Sequence, residues 1–365
     1  MSTSDSLRRG WTTGACATAA TRSACAALYS GEFLDPVSID LPGDLHPSFV
    51  LATESSGDGW ATAGIIKDAG DDPDVTHGAL IEVTVSRGSP GSGVVFAAGP
   101  GVGTVTKPGL PLAVGEPAIN PVPRRMMSEV VAQLAAVHGE SGDARIEIGV
   151  AHGEEIATHT WNPRLGIVGG LSILGTTGVV IPYSCSAWIA SIHRGIDVAR
   201  ASGLKHIAGA TGSTSEAAVR DLHRLPLEAL IDMGDFAGGM LKYLRRRPVE
   251  RVTIAGGFAK MSKLAVGHLD LHSGRSAVDL DWLAARLGDL GAAPEVVIEA
   301  RVANSALHVL QLAAASVDPS LARRLAEVVA TAARATAVDV LRGAPTDLDT
   351  VVVSRTGEIL AHAPT

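Results

Sequence analysis

The sequence predicts two domains, an N-terminal α+β domain over residues 1–165 and a C-terminal α/β domain with a parallel sheet over 166–365. Three observations carry this. The length, 365 residues, exceeds what one hydrophobic core usually supports. The first part mixes helix and strand signals without strict alternation. After the glycine-rich stretch "GIVGGLSILGTTGVVIP" (166–182), strands and helices alternate as in βαβ units.

The elements follow in order. Residues 12 to 29 are rich in Ala, Thr and Cys, and Thr12 and Thr13 stand where a helix cap belongs. "VSIDL" (37–41), "WATAGII" (60–66) and "LIEVTVS" (80–86) read as strands by β-branching and partial alternation. Residues 99–125 hold six prolines and five glycines, too many for a helix or a central strand. Their interspersed Val, Leu and Ile predict a packed, functional loop rather than a free linker. A helix over 126–139 and a strand over 144–151 close the first part. The second part predicts helices over 186–202, 214–224, 235–246 and 259–272. Strands are predicted over 204–210 and 251–257, with a short segment near 227–231, then a helical tail (281–340) and a last strand at 350–354.

Composition narrows the function. With 46% hydrophobic and 19% charged residues the chain is an ordinary globular protein. Only 4% is aromatic, which argues against a stacking platform for single-stranded nucleic acid. The net charge of −8 argues against general polyanion binding, so no nucleic-acid partner is expected. Cys16, Cys25 and Cys185 are odd in number without CxxC spacing, which fits a reducing compartment. No signal-peptide pattern and no run of about 18 apolar residues is present, so no membrane span is expected and the cytoplasm is the plain reading.

Several stretches carry polar chemistry. "IIKDAGDDPDVTHG" (65–78) packs Asp68, Asp71, Asp72 and Asp74 behind Lys67, with His77 close by. A calcium loop starting at Asp68 fails, because its twelfth position is Ala79 and not a bidentate glutamate. A polar turn is the plain reading of Asp, Pro and Gly here; crowded carboxylates leave a catalytic one open. "GATGST" (209–214) and "AGGFAK" (255–260) each follow a strand and open a helix. Such turns lie at the carboxyl ends of parallel strands, where ligands bind, although neither completes a GxGxxG or a P-loop. His268 and His272 are spaced to share a helix face, but Leu269 replaces the glutamate a zinc protease needs, and no metal site is expected. Arg8, Arg9, Lys67, Lys107, Arg124 and Arg125 are the cations positioned for a polycarboxylate ligand.

Four long stretches then identify a family. "LRRGWTTGACATAA" (7–20), "KDAGDDPDVTHGA" (67–79), "GVGTVTKPGLPLAVGEPAINPVPRRM" (101–126) and "GGLSILGTTGVVIP" (169–182) closely resemble the cobalt-precorrin-5B C1-methyltransferase family of anaerobic cobalamin biosynthesis. Looser matches at 225–241 and 255–273 extend the resemblance over most of the chain. The resemblance implies methyl transfer from S-adenosylmethionine to C1 of cobalt-precorrin-5B, a tetrapyrrole whose cobalt belongs to the substrate, giving cobalt-precorrin-6A. The chain departs from the family on turns of its second part, at "ATGSTSE" (210–216), Gly234-Asp235-Phe236, Gly256-Gly257-Phe258-Ala259-Lys260 and Asp270-Leu271-His272-Ser273. Those departures leave open a metal-free precorrin as substrate.

Combined, these readings set Asp68, Asp71 and His77 as candidate catalytic groups. Gly209, Thr211, Gly212, Ser213 and Gly256 are the candidate S-adenosylmethionine site. Arg8, Arg9, Thr12, Thr13, Lys67, Lys107 and Arg124 are the candidate tetrapyrrole contacts. Two rival classes, a nicotinamide-dependent oxidoreductase and a non-catalytic corrinoid carrier, stay open at this point, as does assembly into a homo-oligomer.

Overall fold

The computed structural model describes residues 7–365. The chain divides into two units, at Cys185 and Ser186. The boundary expected near 165 therefore falls inside the first unit. The glycine-rich stretch after it belongs there because its strands pair backward with early segments.

In the first unit, β1 (Gly10–Trp11) leads into helix α1 (Thr13–Ser30). Short strands β2 (Val37–Ser38) and β3 (Ser48–Phe49) precede the main sheet, built from β4 (Thr53–Gly57), β5 (Trp60–Ile66), β6 (Leu80–Arg87) and β7 (Val94–Ala98). Then follow β8 (Thr104–Val105), helix α2 (Pro121–His138), β9 (Ala144–Val150), the short helix α3 (Gly153–Ala157), β10 (Ile167–Val168) and β11 (Val179–Val180). The sheet order is β4-β5-β6-β9-β7, antiparallel except for the β7–β9 pair. This is the expected α+β architecture.

Helix α1 is nearly all small residues and nearly all buried, so it lies close against α2, β5 and β6. Two of its buried threonines are satisfied internally: Thr18 and Thr21 donate to the carbonyls of Gly14 and Ala17 four residues back. Helix α2 begins at Pro121, five residues earlier than the proline count predicts. Proline is tolerated in a first turn, whose N–H groups have no partner inside the helix. The rest of the Pro/Gly segment is packed as expected. Ala118 N–H donates to Gly103 O, and Ile173 N–H donates to Ala118 O.

The second unit opens with helix α4 (Cys185–Ala201) and continues β12 (His206–Ala210), α5 (Ser213–His223), β13 (Leu230–Asp232), α6 (Ala237–Leu244), β14 (Arg251–Gly257) and α7 (Phe258–Ala265). Helices α8 (Leu280–Asp289), α9 (Pro294–Arg301), α10 (Ala306–Ala314) and α11 (Leu321–Leu341) precede β15 (Asp347–Val353) and β16 (Ile359–Ala363). The sheet order is β13-β12-β14-β15-β16, parallel but for β16. Both faces are covered, as parallel strands require. Helix α5 packs Val219 on Ala208, Ala255 and Val351. The opposite face sets Ile207, Val252 and Ile254 in the larger core with residues of α4, α6, α7 and α11. Helix α7 stops at Ala265, before Gly267 with φ near +96°, so His268 and His272 do not share a helix face.

Candidate functional site

In the first unit each aspartate of the 65–78 stretch has a partner. Arg8 forks Asp68 with both terminal nitrogens. The Arg8 backbone N–H donates to Asp71 Oδ2 at 2.6 Å. Tyr183 N–H donates to Asp72 Oδ1 at 2.8 Å. Lys67 Nζ reaches Asp74 Oδ2 at 2.5 Å, and Thr76 donates to Asp74 Oδ1 through both its N–H and its hydroxyl. The stretch is a clasp that joins the chain near residue 8, the end of β5 and residue 183. The close approach uses Gly10 and Gly70: a Cβ on Gly10 would lie 2.0 Å from Ala69 C, and Gly70 has φ +69°.

This geometry sorts the candidate catalytic groups. The Arg8 hydrogen bonds, with the Gly70 N–H, hold the Asp68 carboxyl down to about 2, so it is a poor proton acceptor. His77 Nδ1 accepts from Ala69 N–H at 3.1 Å, which commits the ring's lone pair and leaves the proton on Nε2. Asp71 is exposed and engages the Arg8 N–H through Oδ2 alone.

The candidate substrate contacts also separate. Lys67 is 1% exposed and spent on Asp74. Thr12 caps α1, accepting from Ala15 N–H at 3.1 Å. Thr13 is buried and exchanges hydrogen bonds with the Leu174 backbone. Arg124 donates to the carbonyls of Ile119 and Pro117 and pairs with Glu116, holding the Pro/Gly loop. Lys107 lays its stem over Gly166 and is partly exposed. Arg9 is exposed, and so is Arg8, whose partner Asp68 lines a shallow open groove of about 410 Å³. Trp11, Phe49, Val50, Leu51 and Ile66 wall it and Asp68 stands at its edge. Trp11 and Phe49 meet edge-to-face at 5.7 Å. Sequence reasoning missed this groove. Its signal is in β5 and the residue after it, where Ala61, Ala63, Ile65 and then Lys67 are buried and Ile66 is exposed.

In the second unit, the chain leaves β12 toward β13 on one side, and β14 toward β15 on the other. The carboxyl ends of β12 and β14 are thus the topological switch point of the sheet, where ligands bind in open α/β folds. Thr211, Gly212, Ser213 and Gly256 stand there. Helices α5, α6 and α7 begin at this edge, none with a side-chain cap, so their first N–H groups have no side-chain acceptor. A Cβ on Gly212 would meet nothing within 4 Å. Gly209 differs: its Cβ would lie 2.3 Å from Met240 Sδ, so it is a packing glycine beneath α6. Two residues join the edge that spacing did not select, Asp235 and Lys260. Lys260 Nζ lies 3.0 Å from Asp235 Oδ1 and donates to Thr211 O at 3.0 Å. Asp235 and Lys260 both belong to stretches, 234–236 and 256–260, where the sequence departs from the family it resembles.

A family model described as CbiD matches residues 1–182, and one described as CbiD, C-terminal domain, matches 270–364. The chain is similar to cobalt-precorrin-5B C(1)-methyltransferase of Paramagnetospirillum magneticum, 62% identical over 363 residues and 100% of both chains. The protein of the same name from Rhodospirillum rubrum is 61% identical, covering 98% of this chain and 97% of that one. A solved cobalamin biosynthesis protein (cbiD) from Archaeoglobus fulgidus is 28% identical with a TM-score of 0.40, over 74% of this chain and 83% of that one.

Proposed function

The chain belongs to the CbiD family of cobalt-precorrin-5B C(1)-methyltransferases, and from that premise we propose how its residues serve the reaction. The chain is a methyltransferase of cobalamin biosynthesis acting on C1 of cobalt-precorrin-5B. The observation that carries this is identity of 62% over the full length of a relative with that name. No residue feature favours an oxidoreductase or a carrier over it.

S-adenosylmethionine supplies a methyl group on a positively charged sulfur. The switch-point edge of the second unit suits that donor. The uncapped N–H groups of α5 and α7 donate to its carboxylate, and Gly212 leaves open space for it. Thr211, Ser213 and Gly256 complete the turns. Asp235 offers a carboxylate to the donor's cationic groups, and Lys260 fixes Asp235 in place.

The first unit suits a flat ring with acidic arms. The apolar walls of the groove take a ring face, and Arg8, Arg9 and Lys107 meet acetate and propionate groups. The reaction forms a bond from C1 to the methyl carbon while the carbon–sulfur bond breaks and the sulfur becomes neutral. An electron-rich ring carbon needs alignment more than acid catalysis, and alignment supplies about 7–11 kcal/mol. The product also loses a proton; of the three candidates, Asp71 is the one with an oxygen open to receive it.

Mass spectrometry of the purified protein with cobalt-precorrin-5B and S-adenosylmethionine tests the activity. A gain of one methyl, dependent on both and larger than with the metal-free precorrin, is expected. Calorimetry with S-adenosylhomocysteine on Gly212→Trp tests the donor site; wild-type affinity there removes the turn from it. Asp71→Asn is expected to lower kcat about 100-fold with KM little changed, and an unaltered kcat removes Asp71 as the base.

A further inference from the structure

The opposite, amino-terminal edge of the same parallel sheet holds a second polar cluster. His206 is the first residue of β12 and pairs in register with Arg251, the first of β14. Thr253 pairs with Asp349 of β15, and His362 of β16 lies opposite Val351. The two-residue period puts His206, Thr253, Asp349 and His362 on the sheet face that α5 covers. Helix α5 runs back along that face and delivers His223, its last residue, to the same place.

All of these groups converge on one carboxylate. Asp349 is completely buried. Its Oδ1 accepts from the Thr253 hydroxyl at 2.6 Å. Its Oδ2 lies 2.7 Å from His362 Nε2, 3.1 Å from an Arg251 terminal nitrogen and 3.3 Å from His223 Nε2. The last contact lacks hydrogen-bond geometry, so His223 Nε2 is a buried ring nitrogen with no hydrogen-bond partner. His206 Nε2 is held 2.8 Å from Thr253 Oγ1. One donor atom each from His206, His223 and Asp349 lies within 4.8 Å of the others. Burial, the largest cause, pushes the His206 imidazole down to about 4 and the His223 imidazole below its ordinary value.

We propose that His206, His223 and Asp349, with His362 beside them, form a divalent transition-metal site, zinc by its donors, that ties the end of α5 to β12, β15 and β16. Two imidazoles and a carboxylate are a zinc donor set, and His362 supplies a fourth ligand to close a structural tetrahedron. The donors draw together by about 1 Å to reach zinc–ligand distances near 2.0–2.2 Å. Thr253 already holds Asp349 and the His206 ring in the manner of outer-shell partners. Arg251, 38% exposed, is the competing cation: it neutralises Asp349 without metal and swings to solvent when metal binds. Sequence reasoning expected no metal ligands because these four residues are scattered between positions 206 and 362; only the sheet register brings them together.

The test is zinc titration of the chelator-stripped full-length protein by calorimetry, with Co²⁺ absorption as a second readout. One zinc per chain is expected, with the visible bands of tetrahedral Co²⁺. His206→Ala and His223→Ala are expected to lose that stoichiometry while circular dichroism is unchanged. Arg251→Gln, which removes the competing cation and leaves every ligand, is expected to bind zinc at least about tenfold more tightly. No stoichiometric uptake by wild-type protein overturns the site. So does a folded His223→Ala that binds zinc like wild type, or an Arg251→Gln that binds no better.

Discussion

Lys67 is a buried ammonium at the end of a strand. The two-residue period of β5 buries Ala61, Ala63 and Ile65, and Lys67 continues that row inward while Ile66 points out. Its residue type suggests a surface cation; its register decides otherwise, and the register was present in the sequence. Burial pushes the Asp74 carboxyl up, but the Lys67 charge and the hydrogen bonds from Lys67 and Thr76 outweigh it, leaving the group below its ordinary value. Removing one partner strands a buried charge. Asp74→Ala is expected to cost about 3 kcal/mol in urea denaturation, whereas Lys67→Met, which removes the buried charge itself, stays within about 1 kcal/mol of wild type. A Lys67→Met variant as unstable as Asp74→Ala defeats this account. Because the folded Asp74 pKa is depressed, its stabilisation is complete above the unfolded value of 3.8. It is lost as pH falls through the folded value, so the Asp74→Ala deficit shrinks in acid. The same residue-scale reading reassigns Asp68, Thr12, Thr13 and Arg124. Their types suited a ligand, but each has its bonding capacity taken by a neighbour distant in sequence or by a helix end, and such pairing is invisible in composition.

At the scale of elements, legibility followed how local the cause was. Helix α1, β5, β6, β9, β12 and β14 appear within a residue or two of their expected bounds, because periodicity and capping are local. Strands β4, β7 and β16 were missed; β4, "TESSG", is exposed along its length and has no apolar alternation to read. Helix α7 ends early because Gly267 adopts a left-handed backbone, which no spacing of histidines reveals. The 67–79 stretch reads correctly as a polar turn, yet its purpose is tertiary: it clasps the segment around residue 8. That clasp depends on Gly70, where φ is +69° and an added Cβ would fall 2.2 Å from Arg8 O. Gly70→Ala meets both the left-handed penalty and a backbone clash. It is expected to cost about 2–4 kcal/mol, seen as a lowered urea midpoint, whereas Gly78→Ala, with the same backbone sign and open space, costs about 1 kcal/mol. Equal costs at the two positions remove the clasp as the reason for Gly70.

At the scale of the whole molecule, two units have separate cores, and the proposed function gives each its own task. The α+β and α/β classes were legible because class depends only on the order of helices and strands. The switch point was not. Strand order is set by which sheet edge each crossover takes, and β13 and β14 flank β12 on opposite sides without any mark in the sequence. The turns were found as glycine patterns, while Asp235 and Lys260 required the fold. The turns proposed for the methyl donor, after β12 and β14, together with α5, α6 and α7, lie wholly within the second unit, whose buried residues form cores of their own. Independent folding follows from such a core. A chain beginning at residue 184 is expected to unfold cooperatively and to bind S-adenosylhomocysteine within about threefold of the full-length protein, a difference under about 0.7 kcal/mol. It is expected to transfer no methyl group, since the groove and Arg8 beside Asp68 lie in the other unit. A folded fragment without affinity for S-adenosylhomocysteine would move the donor out of the parallel sheet and leave the switch-point turns with a structural role alone.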